Sequence, residues 1–501
     1  MTRALIGDDS TGVSCVKITK GNADPRTTPD SARNLFYYNS KWSKIIVQPD
    51  LEYFPYVSNS NPTDSVVTYF PAGSGPSNFS LMREDQRSSL RSSWYSIRGK
   101  VRYSSVSYDL PMFDLMPILS NGWYGGRNIN RVALGATGGT GGVRGGYYGT
   151  VDMGSYYRRY TTFNSSGEFS VDYGMRFVTA SSADSGFNRQ LIIYNLPGNN
   201  VAVDTGGSAS PGDKLSVLIN STFCRAAKPG FDVTTATRAQ LAFDSTGRPL
   251  NVIAADDIVI PSGSSSYDTG VSLPSQVAID MTCYTGAICY PMRPSATEVE
   301  YGVLYRASGS SILFSNSGGA CRARFIVYGN DPTGPSSGTN RVLRTFVEGG
   351  ENVLQLLRPG SANPPRNSDI ILDTRRPVVQ ILADGYLSVP AHSGSLSVPT
   401  AQSISYDAAG FFPYVKYMTV HGSGLSQEVR APRVNWRFNN SVSQGGLSGD
   451  SSYCQYNNTT ATFYTARGTP IYTAIFGGSP TNEMDSNPIV GIRYYVLGIP
   501  A

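Results

Sequence analysis

The sequence predicts an all-β chain, built as tandem antiparallel β-sandwich modules with little helix. Three observations carry this. Apolar and polar residues alternate with period two over many short runs, as strands with one buried face require. Sustained helical periodicity is almost absent. A block of about 40 residues recurs along the chain and divides its 501 residues into three.

The best-defined copy of that block is Phe223 to Pro261, and a second version runs from Val353 to Pro390. Lys228-Pro229-Gly230 in one matches Arg358-Pro359-Gly360 in the other, and 16 and 15 positions after the basic residue come Asp244 and Asp373. Arg248-Pro249 and Arg376-Pro377 lead, eight residues after each Arg, to Asp256 and Asp384. A third version lies near the N-terminus, where Lys20-Gly21-Asn22 precedes Asn39 and Trp42, and Cys15 falls close to the place of Cys224. The Pro-Gly steps are turn chemistry, since Pro presets φ and Gly accepts the left-handed conformation that follows.

In chain order, FSVDYGMRF alternates Phe169, Val171, Tyr173, Met175 and Phe177 against polar neighbours, and VAIDMTCY does so with Val277, Ile279, Met281 and Cys283. VNWRF repeats the pattern with Val434, Trp436 and Phe438. One short helical turn is expected over Thr235 to Phe243. Arg189 to Gly198, Arg324 to Gly329 and Arg493 to Gly498 each place an Arg before an apolar run ending in Gly, and read as strands that close a module. Gly, Pro and Ser dominate 198–213 and 330–340, as junctions do. The expected modules are therefore 1–205, with a Gly/Tyr-rich insertion between Met112 and Tyr160, then 206–338, then 339–501.

Composition limits the function classes. Charged residues are 15%, and a net charge of +5 over this length forms no basic cluster, so nucleic-acid binding is not expected. No run reaches the roughly 18 apolar residues of a membrane helix, and MTRALIGDDSTG has no apolar leader core, so the chain reads as soluble and made in a cytoplasm, without membrane insertion. The six cysteines include no C-x-x-C pair. Cys283 and Cys289 are spaced to bridge a hairpin, but buried free thiols are the expected state.

No catalytic, cofactor-binding or metal-ligating residue is assigned. The two histidines, His392 and His421, lie in Ser/Gly-rich surroundings and read as surface-loop residues, and no G-x-S-x-G elbow accompanies them. No H-E-x-x-H, paired Cys or acidic calcium loop is present. The Gly-rich run Leu134 to Thr150 lacks both G-x-G-x-x-G and G-K-[ST], so it reads as a loop where only Gly lets backbones approach. Asp256-Asp257 reads as a turn, and Arg248 and Arg376 as ion-pair partners of Asp244 or Asp256 and of Asp373 or Asp384. Tyr147, Tyr148, Tyr156, Tyr157 and Tyr160, with Trp123 and Tyr124, sit among Ser, Gly and Asn, the mixture of adaptable binding surfaces; core packing is the competing reading.

The repeat carries one resemblance. A short strand, K-P-G-x-D-V, L-x-F-x-S and a return strand, in a chain whose N-terminus contains ALIGDDSTG, resembles modular tail-associated structural proteins of tailed bacteriophages. KPGFDVTTATRAQLAFDS is the best match, while KGNADP lacks the Pro-Gly step and RPGSANPP the Asp-Val step. The resemblance covers the three blocks, about a quarter of the chain. It implies a non-enzymatic virion protein of a fibre, tail tip or neck and collar assembly, made in the host cytoplasm and bearing no catalytic residue. Adhesion to a host-surface glycan or protein is the expected role, with a purely architectural collar or decoration protein and a glycan depolymerase as alternatives. Its expected partners are itself, as a homo-oligomer with a trimer favoured, and other virion proteins.

Overall fold

The computed structural model describes residues 2–41, most of 208–290, 303–466 and 488–501, and the backbone of strands within 51–196. The chain is all-β, and the described strand pairings are antiparallel. Among the described residues helix is limited to short 3-10 turns such as Arg33–Leu35 and Asn367–Asp369. No described helix is long and apolar enough to cross a membrane.

The three repeated blocks are three-stranded sheets of one design, here called crests. The first comprises Arg3–Asp8, Ser14–Thr19 and Phe36–Asn39; the second Val217–Ile219, Cys224–Ala227 and Leu241–Asp244; the third Leu343–Glu348, Glu351–Leu357 and Ile370–Asp373. Each is ordered first, second, third strand. The second strand shifts register against the third at the same place in each, between Ile18 and Thr19, Ala226 and Ala227, and Leu356 and Leu357. The basic residue then follows, and its N–H reaches back 2.8–2.9 Å to a carbonyl before the third strand: Lys20 to Leu35, Lys228 to Gln240, Arg358 to Asp369. Gly21, Gly230 and Gly360 make the turn at φ of 57°, 84° and 72°, which is why Gly recurs there. The helical turn expected over Thr235 to Phe243 is instead a single turn closed onto the Thr237 carbonyl by Gln240 and Leu241, after which Leu241–Asp244 is already strand.

This register fixes the equivalences. Ile18, Ala226 and Leu356 correspond, and one step further out Val16, Cys224 and Leu354, so the counterpart of Cys224 is Val16 and Cys15 lies one residue away. All six of these equivalent residues, with Tyr38, Phe243, Ile371 and Leu372, pack into one apolar core shared by the three crests. The chain therefore wraps its three copies around a single pseudo-threefold core, here called the head.

Below each crest a second sheet recurs. A lead strand (Leu51–Pro55, Asn251–Ile260, Gln380–Ser388) pairs with a central strand (Gln190–Leu196, Cys321–Gly329, Ile489–Pro500), whose other edge takes an inner strand (Met112–Ile118, Val277–Tyr284, Phe411–His421). The three central strands are the closing strands expected from the Arg-led apolar runs. They lie in the middle of their sheets, hydrogen-bonded along both edges.

The segments 1–205, 206–338 and 339–501 each supply one crest and one such sheet, and then exchange strands in a cycle. Tyr124–Gly125 of the first pairs with Val303–Ser308 of the second, Ile288–Tyr290 of the second with Ser451–Tyr456 of the third, and Glu428–Arg430 of the third with Ser92–Lys100 of the first. In the third segment the strands Thr400–Ser405, Thr460–Ala466 and Ser451–Tyr456 form an outer sheet. It packs on the inner one through Tyr417, Val415, Ile492, Tyr453, Phe463 and Ala461.

Several strand expectations shift in detail. The run from Phe169 to Phe177 is two strands, Glu168–Asp172 and Met175–Val178, which pair into different sheets. Val277–Tyr284 is one strand, but Asp280, Thr282 and Tyr284 are buried as well as its apolar face. The strand in VNWRF is Asn435–Asn439, with Val434 outside the described residues.

Candidate functional site

One cluster of buried charged residues lies where the second and third inner sheets meet. Asp256 and Asp257 are not a turn: both lie within the lead strand Asn251–Ile260. Asp257 is buried and accepts from Arg324 Nε at 2.5 Å, Arg322 Nε at 2.7 Å and the Tyr284 hydroxyl at 2.5 Å. Burial, and then the bond to Asp257, push the Tyr284 phenol above its ordinary range. Arg324 lies over the rings of Tyr284 and Phe412, and its Nη1 donates to the Pro413 carbonyl, which ties the second sheet to the third.

Next to it, Asp280 forms an ion pair with Lys416 and accepts from the Tyr414 hydroxyl at 2.6 Å. Thr282 Oγ1 donates to the Tyr414 oxygen at 3.3 Å. Asp280 and Lys416 are 0% and 2% exposed, so the pair is sealed from solvent. In the third sheet Arg493, which the register aligns with Arg324, donates to Asp384 at 3.2 Å and to the Tyr495 hydroxyl at 2.8 Å.

These are the residue types of acid–base catalysis, yet each carboxylate here is saturated by cations and phenols that are themselves fixed. A buried, fully partnered charge set is weak evidence of stability and good evidence of a specified pairing between sheets. Its chemistry is therefore positional: the pairs of Asp280 with Lys416 and Tyr414 and of Arg324 with the Pro413 carbonyl cross from the second sheet to the third, while Asp257 fixes Arg324 from within the second. Among the described residues no three His, Cys, Asp or Glu side chains converge to hold a metal.

The carboxylates of the expected ion pairs have partners that the sequence reading did not name. Asp244 is held by Arg225 across the second crest at 3.0 Å, Asp373 by Arg375 at 2.6 Å and Gln355 at 2.7 Å, and Asp384 by Arg493. Arg376 donates to Asn367 Oδ1 at 3.3 Å, lies within reach of the charge of Asp373, and its backbone N–H donates to the Asp373 carbonyl at 3.0 Å. Arg248, Pro249 and Pro377 lie outside the described residues. Asp384 also loses Asp256 as its counterpart, because the shared register irregularity aligns it with Ala255. An eight-residue count from Arg hides this, since Arg is not the anchor of the ladder.

His421 is not in a surface loop. It ends the inner strand Phe411–His421, is buried, and its Nε2 lies 2.9 Å from Thr419 Oγ1. His392 lies outside the described residues, as do Leu134 to Thr150, Trp123, Tyr147, Tyr148, Tyr156 and Tyr157; Tyr124 and Tyr160 are placed only as strand backbone. Where tyrosines are described, Tyr38, Tyr305, Tyr328, Tyr414 and Tyr417 are fully buried and serve packing. Cys283 is buried beside Cys321 rather than Cys289, and the described cysteines are free thiols.

One repeated group escaped the sequence reading. Ser40, Ser245 and Thr374, each following the third strand of its crest, exchange two hydrogen bonds with the second: their N–H groups donate to Val16, Cys224 and Leu354, and their hydroxyls accept from the same three residues at 2.7–3.0 Å. The signal was present, because a hydroxyl residue follows Asn39, Asp244 and Asp373. No family model, curated protein or solved structure matches this chain.

Proposed function

We propose that this chain is a structural component of a tailed-phage virion, placed in a fibre, tail tip or neck and collar assembly, and that it takes part in attachment to the host surface. The observation that carries this reading is the convergence of the three K-P-G-type crests on one core. It supports a scaffold role, because the most elaborate repeated feature of the chain is devoted to holding three copies together. The buried ionic seam, which specifies sheet pairing and holds each of its carboxylates in fixed partners, points the same way. Copies of itself and other virion proteins are the proposed partners, and the virion the proposed location.

Labelled-antibody electron microscopy of the particle tests the assignment, and a particle without signal ends it. Saturable binding of the purified protein to host cells supports attachment, and absence of binding leaves architecture alone. Release of reducing ends from host polysaccharide would replace both with a depolymerase.

A further inference from the structure

Asp280 and Lys416 are placed to form a covalent link between two repeats. Asp280 and Thr282 are two apart on the inner strand Val277–Tyr284, and Tyr414 and Lys416 two apart on Phe411–His421, so each couple shares one face of its strand. The two faces meet. The Lys416 ammonium contacts Oδ2 of Asp280, while the Tyr414 hydroxyl donates to Oδ1 at 2.6 Å. Lys416 Nζ lies 5.2 Å from the centre of the Tyr414 ring and 5.8 Å from that of Tyr290, and Asp280, Lys416, Tyr414 and Tyr290 are all buried.

A primary amine held against a carboxyl group away from solvent is the reactant state of an amide. Burial disfavours the charged form of both groups, so passing one proton from Nζ to Oδ2 costs less here than in water and leaves an amine against a carboxylic acid. Fixed contact also replaces a bimolecular encounter, and well-oriented groups reach effective molarities of about 10⁵ M or more. The neighbouring arginines cannot follow this course, because the guanidinium groups of Arg324 and Arg493 stay protonated and are not nucleophiles. In the first crest Lys17 is divided between Asp9 and Asp30, Lys41 holds the same two carboxylates, and the Asp30 side chain is 35% exposed, so that cluster stays ionic.

We propose that Lys416 and Asp280 join in an intramolecular isopeptide bond that fastens the second inner strand to the third. After the proton transfer, the Nζ lone pair attacks Cγ of Asp280. Negative charge develops on Oδ1, where the Tyr414 hydroxyl already donates. The bond from Cγ to Oδ2 then breaks, and Oδ2 leaves as water with two of the three ammonium protons, the third remaining as the amide N–H. Nothing is oxidised or reduced, and no co-reactant is consumed. The inference concerns two residues of the chain and does not depend on the virion reading.

Mass spectrometry of the denatured, reduced protein tests it. The unaltered chain should fall short of the mass of its sequence by one water, and trypsin should leave a branched peptide that holds both Asp280 and Lys416 and is uncut after Lys416. Lys416→Arg keeps the cation but has no primary amine, and Asp280→Ala has no carboxyl group, so both should show the full mass. A succinimide at a step such as Asp384-Gly385 sheds the same mass, and a loss that persists in Lys416→Arg would therefore overturn the proposal. The full mass in the unaltered chain would overturn it too, as would a tryptic peptide of that chain cut after Lys416. The branched peptide comes from the unaltered protein, so the test stands whether or not a variant folds.

Discussion

Asp280 and Lys416 occupy equivalent positions in two repeats, and their side chains meet. Asp280 stands opposite Ile326 and Lys416 opposite Tyr495, each one residue before the Val that follows the lead-strand irregularity. Both point to the junction between the second and third sheets, where two identical residues would set like charges together. Because the two positions carry opposite charges they form an ion pair instead, so the copies are bound by what differs between them.

Lys416→Met leaves the Asp280 carboxylate buried without its Lys416 cation, and the expected loss is about 3–5 kcal/mol. Combined with Asp280→Leu the loss should shrink well below that of the single change, since no uncompensated charge remains. Urea unfolding of the two singles and the double decides. Additive losses would mean that the pair is not coupled.

Tyr38 shows the opposite case, a difference between repeats that brings a cost. It aligns with Phe243 and Leu372 in the head core, and its hydroxyl is buried without a hydrogen-bond partner among the described residues. Burial holds the phenol far above its usual pKa, with the neighbouring Cys224 adding to the shift. Tyr38→Phe copies the second repeat and should raise stability by about 1 kcal/mol. A drop in the urea midpoint would show that the hydroxyl has a partner.

The strands and the three-way repeat were legible because period-two alternation and the Lys-Pro-Gly and Arg-Pro-Gly turns are local. Tyr38, Phe243 and Leu372 gave no such signal: nothing local says that three crests share one core rather than each closing its own module. Asp256-Asp257 read as a turn because paired carboxylates favour one, and tertiary burial against Arg324 and Tyr284 overrode that preference. His421 looked exposed beside Gly422 and Ser423, yet the inner strand that carries it runs on to its position before the chain turns. The partners of Asp373 and Asp384 depend on register, and one unpaired residue in a ladder moves every later assignment by one.

Acid should weaken the head through its first crest. Asp9 is buried, which alone would raise its pKa, but hydrogen bonds from Lys17 at 2.6 Å and Lys41 at 2.5 Å outweigh this and hold the carboxyl well below its usual range. A folded pKa below the unfolded one means that the unfolded chain binds more protons in between. The stabilisation is complete above the ordinary carboxylate pKa of about 4 and is lost as pH falls below it. Asp30, shared by the same two lysines, is shifted in the same direction. Asp9→Asn should therefore lower stability at neutral pH and flatten its fall below pH 4. Equal slopes for variant and parent in urea titrations at successive pH values would refute the linkage.

Cys15 and Cys224 are buried on the second strands of two crests, and the head cannot present them without opening. Burial is the main cause that pushes both thiols up to about 11; Lys17 draws Cys15 partly back and Asp244 adds to the shift at Cys224. The thiolate is the reactive form, so both should be inert near neutral pH for reasons of protonation as well as access. Native protein treated with iodoacetamide at pH 8 should leave these two peptides unmodified in mass spectrometry, and urea should expose both together because they belong to one head. Labelling of either thiol in the native protein would show that its crest opens without urea.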